Sequence, residues 1–286
     1  MTFRSGIIIS SVLGIALSTL LSAQTPTARP PAAGQRRGGP NPDAPTPIAK
    51  FDSVWIEDLT WMEVRDAIKA GKTTAIIPAG SIEQNGPYVP TNKHNYVLRL
   101  TAESIARKLG NALVAPIIPI EVGDPERINS PGSFLVRQET FENFVIDEAT
   151  ALKQHGFQHI IMIGDSGGDG RGMGPAEKKL NDKFGGKPDV HYIKEYYDSW
   201  DKADASWDSL GVPKKSDDGI HDDYSVNSII SVLDPEKIRY KERVAAKKDS
   251  INGQPISPIE KTVENGKKLI ELRANIAVEA IRKVLQ

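Results

Sequence analysis

Apolar residues along this chain follow two patterns that alternate from about residue 60 onward. One is the three-to-four spacing of an amphipathic helix; the other is a short unbroken apolar run. Thr60 and Glu63 form a capping box for a helix that carries Met62, Val64 and Ile68 and stops at Gly71. The run TAIIP, residues 74–78, reads as a buried strand. Val97, Leu98, Ala102, Ile105 and Leu109 share one face of a helix over 94–109, and a second strand is expected over 112–118. A helix over 139–155 aligns Phe141, Phe144, Val145 and Leu152 and ends at Gly156. HIIMI, residues 159–163, is the third strand and 190–193 a weaker fourth; helices over 225–233 and 258–285 complete the pattern.

Strands separated by helices predict an α/β fold of three layers, α/β/α, around a mostly parallel sheet. Ligands in such folds bind beyond the carboxyl ends of the strands. The loops after Ile77 and Ile163 are therefore where chemistry is expected.

The N-terminus breaks the pattern. A charged start is followed by an apolar run over residues 6–21 and then Ser22-Ala23-Gln24, which predicts a secretory signal peptide over 1–23. Residues 24–50 are rich in Pro, Gly and Ala, a composition that cannot bury enough surface to order itself. They read as a disordered linker, with the folded domain over 51–286. The expected location is periplasmic or secreted, with no stable membrane insertion after signal cleavage. The absence of cysteine excludes disulfides and thiolate metal sites. A net charge of −1 gives no reason to expect a nucleic-acid partner.

One loop poses the chemical question most sharply. GDSGG, residues 164–168, fits the G-x-S-x-G pattern of a serine nucleophile. His221, with Asp222 or Asp223, is available in the sequence as base and orienting acid. Yet a nucleophile elbow needs a helix directly after the serine, and GGDGRGMG delays the expected helix until about Pro175.

The surrounding segments give a second answer. PAGSIEQNGPYVP (78–90), SPGSFLVRQET (130–140), HGFQHIIMIGDSGGD (155–169) and DGIHDDYS (218–225) occur in this order. Together they resemble the creatininase (creatinine amidohydrolase) family, over roughly residues 52–240. Its members typically read P-x-G-S-x-E-Q-H-G-P-H-L-P, then an Asp, P-G-T-x-S-L-x-x-E-T, H-G-F-x-x-I-x-x-x-N-G-H-G-G-N, and finally H-A-G with a Glu-Thr-Ser turn. The resemblance implies a creatininase-like three-layer fold, hydrolysis of an amide or other C–N bond of a small molecule, a pair of divalent metals, and a homo-oligomer, often a hexamer.

Position by position, the usual metal ligands are mostly replaced. Glu83 keeps the glutamate of E-Q-H, whose histidine falls on Asn85. The Asp that follows falls on His94, the histidine of N-G-H-G-G-N on Ser166, and the glutamates near the last turn on Tyr224 and Val226. His221 keeps the histidine implicated in proton transfer. This leaves Glu83 and His221 as the catalytic candidates. Glu83, His94, Asp165 and Asp169 are candidates for a relocated single zinc or manganese site. Tyr88, Asn85, Ser166, Trp200, Trp207, Asp222 and Asp223 are candidates to line a substrate pocket. Three alternatives stay open here: a metal-assisted hydrolase, a metal-free protein that binds a small ligand, and a Ser166-dependent hydrolase. In the bland reading, Asp165 and Asp169 merely brace a glycine-rich turn and an aspartate after His221 caps a helix. His155, His159 and His191 are read as structural.

Overall fold

The computed structural model describes residues 41–128, 130–186, 189–208 and 219–286, with the side chains of 206–208 left aside. The expected signal peptide and most of the expected linker lie outside the described residues. The elements run in this order: α1 (Trp61–Lys69), β1 (Thr74–Ala79), α2 (Lys93–Leu109), β2 (Ala112–Val114), β3 (Glu121–Val122), β4 (Leu135–Val136), α3 (Gln138–His155) and β5 (His159–Gly164). Then come α4 (Asp169–Lys183), β6 (Val190–Tyr192), α5 (Lys194–Asp208), α6 (Tyr224–Leu233), α7 (Tyr240–Ala245), β7 (Ser250–Ile251), β8 (Gln254–Pro255) and α8 (Ile259–Val284).

Four strands form a parallel sheet in the order β2-β1-β5-β6. Side chains alternate between its two faces, so neighbours in one strand enter different cores. Ile76, Ile161 and Ile163 pack with Leu98 and Ile105 of α2 and Ala274 and Ile281 of α8. Ile77, Ile160 and Met162 pack with Phe141 and Val145 of α3 and Leu180 of α4. Both faces are dry, which is why these strands read as unbroken apolar runs rather than alternating ones. A third cluster joins Ile229 and Ile230 of α6 to Leu269 of α8. The chain is thus α/β with a mostly parallel central sheet and helices around it.

The register decides where a site can form. Thr74 lies opposite His159 and Ala79 opposite Gly164, so β1 and β5 end level. From β1 the chain moves outward to β2 on one side, and from β5 to β6 on the other. The strand order therefore reverses between β1 and β5, and the crevice at such a switch point is where α/β sheets bind ligands. The loops from Gly80 and Asp165 leave the sheet side by side, tied by the Asp165 amide donating to the Ala79 carbonyl at 2.9 Å.

Two sequence expectations change, and one element is new. The helix after β5 starts at Asp169, not near Pro175, which lies inside it. Glycine is what permits the early start: a Cβ on Gly172 would come 2.3 Å from the Phe141 ring. The second strand stops at Val114, and Ile118 rejoins the sheet only through a bridge to Ala79. Pro116 and Pro119 lack the N–H that a continuous ladder needs. The segment Lys194–Asp208, which carries Trp200 and for which no element was expected, is a helix, α5. The Thr60–Glu63 capping box is present as expected.

Candidate functional site

The mouth of the crevice is a cavity of about 430 Å³. Glu83 reaches it from the loop after β1, Lys93 and His94 from the first turn of α2, and Asp165 and Ser166 from the end of β5. Trp200 of α5 and His221 close other parts of its wall.

These groups form a chain of alternating charge. Lys93 Nζ lies 2.8 Å from Glu83 Oε1 and 2.9 Å from His94 Nε2. His94 Nε2 is also 2.9 Å from Glu83 Oε1, and its Nδ1 is 2.8 Å from Asp165 Oδ2. The other Asp165 oxygen accepts from Arg273 at 2.8 Å and from the Tyr196 hydroxyl at 3.1 Å. Arg273 comes from the middle of α8, is wholly buried, and stacks on the Trp200 ring at 3.7 Å. Its Nε donates to Ser199 Oγ at 2.8 Å.

Electrostatics follow from these contacts. Burial pushes the Asp165 carboxyl up, but the Arg273 charge and the His94 hydrogen bond outweigh it and hold it at about 2. Burial likewise opposes ionisation of Glu83, and His94 and Lys93 bring it down to about 2. For His94, burial disfavours the cation, yet hydrogen bonds to Asp165 and Glu83 raise its pKa above the ordinary value. His221 goes the other way: burial and the nearby Lys93 charge lower it. The site therefore holds two imidazoles biased toward opposite protonation states.

His221 sits at φ 58°, a left-handed conformation that costs a residue with a Cβ some energy. Its Nδ1 is 3.1 Å from Asn85 Oδ1 and 3.4 Å from Glu83 Oε1. Asn85 in turn donates to the backbone carbonyls of Glu83 and Pro90, at 3.1 and 2.8 Å. It braces the loop and orients His221.

Ser166 belongs to a different cluster. Its hydroxyl donates to Glu121 Oε2, and Ser81 donates to Glu121 Oε1 at 3.1 Å. The Gly168 amide also reaches Glu121 Oε2, at 3.2 Å. Only glycine allows this, since a Cβ there would stand 2.5 Å from that oxygen. Asp169 accepts from the Ser166 amide at 3.0 Å, while its other oxygen is buried without a hydrogen-bond partner among the described residues. Burial raises its pKa well above the usual carboxylate range, with the Glu121 and Asp165 charges adding to the effect. Its burial thus favours the neutral acid over the carboxylate. The helix after the serine does begin early, but a nucleophile also needs a base. Among the described residues no hydrogen bond joins Ser166 to a histidine; His94 is engaged with Asp165 and Glu83, and His221 with Asn85.

Of the other residues picked from the sequence, Trp200 and Asp223 line the cavity. Tyr88 does not; its ring lies under the Arg243 guanidinium at 4.8 Å. Asp222 is buried behind the site, 2.7 Å from Arg243 and Asn227-bonded at 2.9 Å. The Trp207 side chain lies outside the described residues. Lys93, Glu121 and Arg273 were not singled out from the sequence. Lysine beside a helix start and arginine deep in a C-terminal helix carry no motif, and only the fold brings them together. A two-residue strand, β3, holds Glu121 in place.

Comparison with known proteins gives a consistent relationship. The family profile described as Creatinine amidohydrolase matches residues 57–281. The chain is similar to a 3-dehydro-scyllo-inosose hydrolase of Thermotoga maritima, 27% identical over 114 residues, 40% of this chain and 36% of the relative. It is also similar to a creatinine amidohydrolase of Pseudomonas putida, 24% identical over 115 residues, 39% of this chain and 44% of the relative. The match therefore spans less than half the length of these curated relatives. Among solved structures, a crystal structure of creatininase aligns with TM-score 0.60 at 18% identity, covering 82% of this chain and 98% of that one. A manganese creatininase aligns with TM-score 0.60 at 20% identity, covering 81% and 98%. A mutant creatininase of Zn-Zn type aligns with TM-score 0.59 at 19% identity, covering 82% and 98%. At such identities the likeness speaks to the fold.

The donor set of this chain does not fit a zinc or manganese ion. The expected ligands Glu83, His94 and Asp165 do converge, but Lys93 and Arg273 engage them with positive charge. The fourth, Asp169, faces Ser166 and is not among the cavity-lining residues. Among the described residues, no three His, Asp or Glu side chains are arranged to hold a metal ion.

Proposed function

The chain belongs to the creatininase family, and from that premise we propose that it is a hydrolase of an amide or other C–N bond in a small molecule. The observation that carries this reading is the placement of a pKa-lowered His221 and the Lys93 ammonium around one cavity, with Glu83 touching both. A neutral His221 that donates from Nδ1 to Asn85 keeps a lone pair on its other nitrogen. It takes a proton from water as the water oxygen bonds to the carbonyl carbon. One N–H donor of Lys93 is used by Glu83; another is available to the oxygen on which negative charge develops. The C–N bond then breaks, and His221 returns its proton to the departing nitrogen.

The wall opposite suits a neutral or cationic substrate. Asp201, Asp204 and Asp223 line the cavity with Tyr197 and Trp200, a combination that repels anions and accommodates a cation against an aromatic face. The names of the relatives support a small-molecule substrate. The apolar N-terminal run supports export as part of the same proposal.

The test is a panel of lactams, cyclic ureides and linear amides, with product formation followed for the parent protein and for His221→Ala. Turnover of one class that falls roughly 10²- to 10⁴-fold in the variant supports the proposal. Turnover that His221→Ala leaves unchanged overturns the assigned role, and saturable binding with no turnover overturns hydrolysis in favour of ligand recognition.

A further inference from the structure

Lys93 occupies an improbable position for a lysine. It is the first residue of α2, where the helix dipole disfavours a cation, and its side chain is only 6% exposed. Burying an ammonium is costly unless it is paired and hydrogen-bonded. Here its nitrogen lies between Glu83 Oε1 at 2.8 Å and His94 Nε2 at 2.9 Å. Those are the two atoms a metal at this loop would need. Zinc would have to approach each to about 2.0–2.2 Å, which the ammonium nitrogen prevents while it stays in contact with both.

The second half of the site repeats the arrangement. Asp165 offers one oxygen to His94 and the other to Arg273, whose guanidinium is fully buried. Two carboxylates, Glu83 and Asp165, thus face two fixed cations, Lys93 and Arg273. The positive charge that makes such a carboxylate pair tolerable in a closed site is already supplied by the chain. A divalent ion placed there would meet an ammonium at contact distance and would have to displace it.

We propose that Lys93 is a built-in cation standing in place of a divalent metal at Glu83 and His94, with Arg273 playing the same part at Asp165, so that the site excludes zinc and manganese. The proposal rests on the contacts just described and does not depend on which bond the protein cleaves. Its readout is metal binding, which separates its failure from failure of the hydrolase reading.

The experiment uses the purified full chain, stripped with EDTA, exposed to zinc or manganese and desalted before elemental analysis. The expected result is under about 0.1 metal per chain, with no shift in thermal midpoint on adding metal or chelator. About one tightly held metal per chain, lost in Glu83→Gln, overturns the proposal. In a second arm, Lys93→Met keeps length and removes charge; it is expected to bind zinc at least about tenfold more tightly than the parent, and Lys93→Arg to keep the exclusion. A folded Lys93→Met with the parent's zinc affinity overturns the assignment of the ammonium as the excluding group. Should Lys93→Met not fold, Lys93→Gln serves the same arm and the stoichiometry of the parent protein stands by itself.

Discussion

His94 Nδ1 lies 2.8 Å from Asp165 Oδ2, joining the start of α2 to the end of β5 across the switch point of the sheet. Both positions depart from the family pattern as read from sequence: His94 falls where an Asp is expected, and Asp165 where the glycine of N-G-H-G-G-N is expected. The two departures make one contact, and that contact organises the site.

Asp165→Asn should be among the most damaging single changes. It leaves the buried Arg273 without its carboxylate and weakens the hold on His94. Breaking one side of a buried ion pair costs about 3–5 kcal/mol. Denaturant unfolding should show that loss, and a change under about 1 kcal/mol would mean the pair does not tie α8 to the end of β5 as described.

Stability should peak in mildly acidic solution. Glu83 and Asp165 have lowered pKa values, so their contribution is present above their unfolded values near 4 and is lost as pH falls toward 2. His94 is raised, so its contribution is complete below its unfolded value near 6.5 and is lost as pH rises through the folded value. Urea unfolding from pH 3 to 9 should give a maximum, and His94→Gln should make the decline on the alkaline side shallower, leaving the part that Asp169 contributes. A parent profile that keeps rising above pH 7 would contradict the assignment.

Asp169 predicts the opposite sign for a carboxyl. Its folded pKa is raised, so stability is lost as pH climbs from the unfolded value near 4 toward the folded one. Asp169→Asn keeps an acceptor for the Ser166 amide and removes the ionisation. The variant should be at least as stable as the parent at pH 8 and should lose that part of the pH dependence. Clear destabilisation at pH 8, measured by thermal unfolding, would show that a charged Asp169 is needed.

Gly168→Ala tests the Glu121 cradle. The added Cβ would meet Glu121 Oε2 at 2.5 Å and the Val122 carbonyl at 2.9 Å. Overpacking of this kind costs about 1–3 kcal/mol. A variant with unchanged stability would mean that Glu121 is free to move out of the way.

The sheet and its main helices were legible in the sequence because burial writes directly into residue type. Ile76 and Ile77 face opposite cores, where a polar side chain would be buried away from water. The switch-point loops were legible for the same reason, since they follow the strands. The start of α4 was not: Gly170, Gly172 and Gly174 read as a loop, whereas close contact with Phe141 is what requires Gly172. Glu83, His94, Asp165 and Asp169 were candidates together in the sequence; the first three line one cavity and Asp169 does not. Their partners were not legible, because Arg273 is 108 residues from Asp165 in the chain and nothing local marks it. Tyr88 and Asp222, candidates by their proximity in sequence to Asn85 and His221, both turn toward Arg243.

The proposed chemistry depends above all on the two site histidines being shifted in opposite directions. Titration of their ring nitrogens by ¹⁵N NMR, assigned with His94→Gln and His221→Ala, tests this directly. His221 should titrate below the ordinary histidine value and be neutral at pH 7, while His94 should titrate above it. The reverse order, with His221 the more basic of the two, would contradict its role as the proton acceptor.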